Sequence, residues 1–110
     1  MDDYKNKRLF EIKKLAGTGD PEAIYELALR YRDGRGGAFE DIETAEKFFR
    51  QAAEQNHVPA QIALAEIVET YDEEEAAEWR KKSNGVPAKK IFLFLVPVLL
   101  VLLLLLAFYF

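Results

Sequence analysis

Apolar side chains recur along this chain with a helical period. Ala23, Ile24, Leu27, Ala28 and Tyr31 form one stripe, and Ala45, Phe48, Phe49, Ala52 and Ala53 form another at i, i+3, i+4, i+7 and i+8. That spacing gathers the apolar groups on one face of a helix. Between the stripes, "DGRGGAFED" supplies glycines that stop a helix and Asp41 as a candidate N-cap for the next. No stretch alternates apolar with polar as a half-buried strand does. The pattern predicts helices at about 4–16, 21–33, 41–55, 59–71 and 72–83, short and tightly joined.

The helices repeat. "AIYELALRY" at 23–31 and "AQIALAEIV" at 60–68 share the form A-x-x-x-L-A-x-x-[YV], 37 residues apart. "AEKFFR" at 45–50 matches "AAEWRK" at 76–81 and sets Phe48 beside Trp79. A helix-pair period of about 34–40 residues marks an α-solenoid, in which each pair buries its stripe by stacking on the next.

After the helices the polarity changes abruptly. Residues 91–110, "IFLFLVPVLLVLLLLLAFYF", carry no charged side chain and no hydroxyl before Tyr109. As a helix this stretch would span about 30 Å, the thickness of a bilayer core. About 90 mostly polar residues could not wrap a cylinder that is apolar all round, so the expectation is a single transmembrane helix over 91–110. The charged start "MDDYKNKRLF" does not read as a cleavable signal peptide. The expected topology is therefore a tail anchor inserted after synthesis. Pro97 removes one helical donor and predicts a bend, and Phe92 and Tyr109 fall at the headgroup levels, where aromatic rings settle.

Charge sharpens this division. The net charge of -4 averages two opposite segments: residues 1–78 hold all 19 acids against 10 bases, whereas Arg80, Lys81, Lys82, Lys89 and Lys90 face no acid. An acidic domain repels phosphate backbones, which excludes nucleic acid as a ligand. The basic collar predicts a cytoplasmic N-terminal domain by the positive-inside rule. The expected organisation is a helical domain over 1–83, a basic linker over 84–90 and the membrane helix.

The run from 19 to 67 resembles the Sel1-like repeat, a relative of the tetratricopeptide repeat. The resemblance lies in Leu27, Ala28 and Tyr31, the glycines Gly34, Gly36 and Gly37, Asp41, Ala45, the pair Phe48 and Phe49, and "AAEQ" at 52–55. It covers roughly 65 residues, with one full repeat at about 19–56 and a degenerate second at about 57–84. Asn56 stands where the family usually has glycine, and the second repeat lacks the glycine loop. The resemblance implies an all-α, short Sel1-like helix-pair solenoid and an interaction scaffold, since Sel1-like proteins generally hold other proteins together, often at membranes. It also implies a bacterial source.

Candidate chemistry is sparse. His57 stands alone at a turn position, with no nucleophile or orienting partner evident. The glycines at 34–37 follow a helix and lack the Lys-Ser/Thr of a phosphate loop. Seven acids from Glu66 to Glu78 enclose no base, which reads as a solvated face or as a docking surface for a basic loop. With no cysteine there is no disulfide, thiolate site or Cys nucleophile.

The expected function is that of a tail-anchored adaptor, an accessory subunit of a larger inner-membrane complex. Its partners are integral membrane subunits and the bilayer, with no cofactor, no metal, no small-molecule substrate and no enzyme activity. Contacts are expected around Tyr25, Tyr31, Phe39, Glu69, Glu73 and Trp79. The rivals are a self-associating membrane scaffold and, last, a hydrolase.

Overall fold

The computed structural model describes residues 4–83 and 88–109, with the backbone alone for 88–95. A 3-10 turn at Tyr4–Asn6 leads into α1 (Leu9–Gly17), α2 (Pro21–Asp33), α3 (Ile42–Glu54), α4 (Val58–Val68) and α5 (Glu73–Lys82). The last helix, α6, runs over Ala88–Tyr109. Among the described residues there is no strand, as the pattern predicts. The one helix expected over 4–16 is two elements, because Arg8 is extended at φ -66 and ψ 152. The physical reason lies elsewhere in the chain. The carbonyls of Tyr4, Lys5 and Lys7 accept hydrogen bonds from the buried Arg30 guanidinium, and the Lys7 amide closes only a short turn onto Tyr4 O at 3.3 Å.

Four helix starts, those of α2, α3, α4 and α5, carry a side-chain cap, whereas Arg8 before α1 makes none. Asp20 accepts from the Glu22 amide at 3.0 Å, Asp41 from Thr44 at 3.2 Å and Asp72 from Glu75 at 3.1 Å. A side-chain oxygen at this position satisfies an amide that the first turn leaves unpaired, worth about 1 kcal/mol each. Pro21, with no amide hydrogen to lose, opens α2. Gly34 closes α2 at φ 64, where a side chain would be strained.

Helices α1 to α5 stack in chain order, each packing on its neighbours in sequence. Their seam is largely alanine: Ala23, Ala28, Ala45, Ala52, Ala60 and Ala76 are all fully buried. Small side chains let the helix axes approach closely, and Phe49, Leu64 and Trp79 fill the spaces between them. Burying a ring such as Phe49 stabilises the stack by roughly 2–3 kcal/mol.

The second helix pair, α4 and α5, keeps turn and cap features of the first, α2 and α3. Gly19 and Asn56, 37 residues apart, both adopt positive φ, at 91 and 64. Asparagine is the non-glycine residue that best tolerates this region, so the departure from glycine preserves the turn. Asp41 and Asp72 are caps at φ -155 and -146. The Asp41 amide donates to Tyr31 O at 2.7 Å, and the Asp72 amide donates to Val68 O, also at 2.7 Å. Asp72 follows Asp41 by only 31 residues, while Val68 follows Tyr31 by 37. The second connection is thus six residues shorter and still closes the same hydrogen bond.

Among the described residues, no helix is long and apolar enough to cross a membrane. The part of α6 whose side chains are described, residues 96–109, amounts to roughly 21 Å. The span expected over 91–110 lies partly outside the described residues, as do the side chains of Lys89, Lys90 and Phe92 and the whole of the 84–87 join. Within α6, Pro97 is accommodated inside the helix. Leu99, Leu104 and Phe108 are exposed at 55%, 69% and 92%.

Candidate interaction surface

Two of the six contact residues expected from sequence are half-buried props of the stack. The Tyr25 ring lies 5.8 Å from Phe49 and 4.8 Å from His57, and Tyr31 stacks on Phe48 at 5.9 Å. Burial pushes the Tyr25 phenol above its ordinary range, against the opposing pull of Arg32. His57 caps α4: its Nδ1 accepts from the Ala60 amide at 3.2 Å, while Nε2 lies 3.0 Å from Glu22. A ring nitrogen that accepts from an amide carries no proton, so the neutral ring holds its hydrogen on Nε2 and donates it to Glu22. The turn histidine thereby ties the start of α4 to the start of α2.

Trp79 is not a surface residue. It is 7% exposed, its Nε1 donates to Glu75 at 3.1 Å, and the Lys82 ammonium stands 4.4 Å over its ring. This burial has a simple cause. Only Ala76 and Trp79 of α5 are buried, so this short charged helix holds to the stack mainly through that ring. Phe39, by contrast, is 91% exposed, and Phe10 on α1 is 76% exposed. Glu69, at the end of α4, accepts from Arg80 at 2.5 Å, and Glu73 is exposed at the start of α5.

The acidic run encloses no base in sequence, yet bases reach it in space. Arg50 of α3 pairs with Glu75 and lies 3.6 Å from Glu46, and Arg80 pairs with Glu69. The Arg50 hydrogen bond, aided by Trp79, holds the Glu75 carboxyl below its usual range. Of the basic collar, Arg80 is thus engaged, Lys82 lies over Trp79 and Lys81 is exposed. Along α6, Pro97, Val98, Val101 and Leu102 line a shallow apolar groove, and Tyr109 is 88% exposed.

Sequence reasoning missed one surface feature. Ile42, Glu43, Glu46 and Lys47 at the start of α3, with Ile67, Thr70 and Tyr71 at the end of α4, line a groove of about 490 Å³. Tyr71 forms one wall, its hydroxyl donating to Glu46 at 2.7 Å, and this bond raises the phenol above its ordinary range. The signal was available in the shortened connection that precedes Asp72. Among the described residues, no group of three or more His, Asp or Glu is placed to hold a metal ion.

Residues 21–57 match the Sel1 repeat family. The match covers the first helix pair from Pro21 through α3 to the His57 cap. Sel1 repeats generally mediate protein–protein interaction, and their proteins are generally non-enzymatic adaptors. The chain is also similar to an uncharacterized protein of Neisseria meningitidis serogroup B, 39% identical over 77 residues. That alignment takes in 70% of this chain but only 16% of the relative. No solved structure matches.

Proposed function

We propose that the chain is a membrane-anchored Sel1-type adaptor, an accessory subunit of a larger inner-membrane protein complex, working by assembly or stabilisation rather than by catalysis. The observation that carries this reading is one chain holding both a Sel1 repeat and a helix whose described side chains are apolar and exposed. Exposed leucines along α6 need a cover that water does not provide, and a bilayer provides it. Backbone helix continues to Ala88, and residues 91–108 hold only apolar side chains, a length suited to the hydrocarbon core. Arg80, Lys81, Lys82, Lys89 and Lys90 on one flank support a cytoplasmic domain. The bacterial relative supports a bacterial inner membrane.

The test is native purification of the full chain from membranes. Resistance to alkaline extraction, with co-migration in a species larger than the chain and containing other proteins, is the expected result. Release into the alkaline supernatant removes the anchor, and migration as a lone monomer in mild detergent removes the adaptor. Crosslinks only between copies of this chain would replace the accessory role with a self-associating scaffold.

A further inference from the structure

We infer that the groove between the start of α3 and the end of α4 is a docking site for a short basic segment of a partner protein, one that presents an aliphatic side chain between lysines or arginines. The inference rests on the adaptor reading and gives it a surface.

The first helix pair fills the corresponding place from within. At a spacing of 37 residues, Leu9 corresponds to Glu46, Arg30 to Ile67 and Gly34 to Tyr71. In the first pair the glycine loop closes over these positions. A Cβ on Gly37 would stand 3.5 Å from the Leu9 side chain, and one on Gly36 would stand 3.0 Å from Arg30. Arg30 in turn gathers the carbonyls of Tyr4, Lys7 and Gly36. The second pair has lost six residues of this connection, and Ile67 replaces the arginine. Ile42 and Tyr71 are left 44% and 60% exposed. The groove is the volume that the longer connection fills in the first pair.

Its lining selects the occupant. Ile42 and Ile67 supply apolar lining, which favours an aliphatic side chain. Glu43 and Glu46 line the groove beside Lys47, Glu69 and Asp72 lie on the adjoining connection, and Glu73 opens α5. The helical part that carries them holds 19 acids against 10 bases over residues 1–78. Such a field attracts a basic segment and repels an acidic one.

The probe is a short fluorescent peptide with one leucine between lysines, titrated by anisotropy against the full chain in mild detergent. Saturable binding is expected, weakened at least about tenfold by leucine-to-serine or lysine-to-glutamate changes in the peptide. Ile42→Lys and Glu43→Lys in the protein should each weaken it to a similar extent. So should inserting "GRGGAF", the sequence of residues 34–39, between Tyr71 and Asp72 to close the groove. Unchanged helicity and thermal midpoint by circular dichroism certify each variant. Equal binding by the folded variants, or by the glutamate peptide, overturns the site. If those variants still co-purify the native complex, the adaptor reading stands without this groove. Specific peptide binding by a chain that migrates alone from membranes keeps the groove and removes the adaptor.

Discussion

Arg30 donates through Nε to Glu26 at 3.2 Å, one helical turn away, with 1% and 5% of the two side chains exposed. The guanidinium spends its remaining donors on main-chain carbonyls, at 3.0 Å to Tyr4, 2.6 Å to Lys7 and 3.4 Å to Gly36. Glu26 also accepts from Arg35 at 3.0 Å. One buried pair therefore fastens three segments: α2, the N-terminal turn and the glycine loop. The second helix pair has Ala63 and Ile67 at the same positions, buried or half-buried, with no loop to hold.

Removing one partner of a buried pair leaves the other charged and unsatisfied, which costs about 3–5 kcal/mol. Arg30→Ile is expected to lose that much in urea denaturation of the full chain in mild detergent. The double variant Glu26→Ala with Arg30→Ile copies the second pair and should lose less than the single change, because it removes a buried carboxylate that would otherwise keep only Arg35 as its partner. A single-variant loss under about 1 kcal/mol would show that the pair does not hold the fold.

Gly36 adopts φ +60, and a Cβ there would meet Arg30 Cδ at 3.0 Å. Gly36→Ala is expected to cost about 1–2 kcal/mol from left-handed strain alone, and to speed proteolysis in the 34–40 loop as Arg30 is displaced. Gly17, the last residue of α1, has open space around its Cβ position. Gly17→Ala should be neutral or stabilising by up to about 0.5 kcal/mol. Equal losses at both glycines would contradict the assignment of strain to Gly36.

The stack was legible in the sequence because its burial follows the helical period: Ala23, Leu27 and Ala28 and their counterparts Ala60, Leu64 and Ala65 are all buried. The Asp41 cap was legible as well, since aspartate before an apolar run has a direct local meaning. Glu26 and Arg30 were not. An acid and a base four residues apart usually decorate a solvated helix face, and only the distant turn and loop make theirs a buried one. The groove at Ile42 and Tyr71 was hidden for a related reason. A shortened connection is visible in sequence, but the space it leaves exists only between helices.

Asp33, Asp41 and Glu75 are held below the ordinary carboxylate range, by Arg32, by Thr44 and by Arg50 with Trp79 respectively. A depressed folded pKa gives stability that is full above the unfolded value and lost as pH falls through the folded one. Denaturation midpoints should therefore be flat from about pH 7 to about pH 5 and fall below about pH 4. Glu75→Gln should lower the neutral plateau and reduce the acid slope, since the variant no longer releases a bound proton difference there. A slope unchanged from the parent chain would remove Glu75 from the acid response.

Gln61 is 2% exposed; its Nε2 donates to Ala53 O at 3.1 Å, but its Oε1 has no partner among the described residues. Its counterpart 37 residues earlier is Ile24, fully packed at 1% exposure. Ala53 O also accepts from the Asn56 amide at 3.0 Å, so it stays paired when the glutamine is removed. Deleting a buried polar group whose partner remains satisfied is neutral or stabilising. Gln61→Ile is accordingly expected to stabilise the stack by up to about 1 kcal/mol, read as a higher urea midpoint at unchanged slope. A loss greater than about 1 kcal/mol would mean that the Gln61 to Ala53 bond contributes more than the orphaned oxygen costs, and that the two helix pairs are not equivalent at this position.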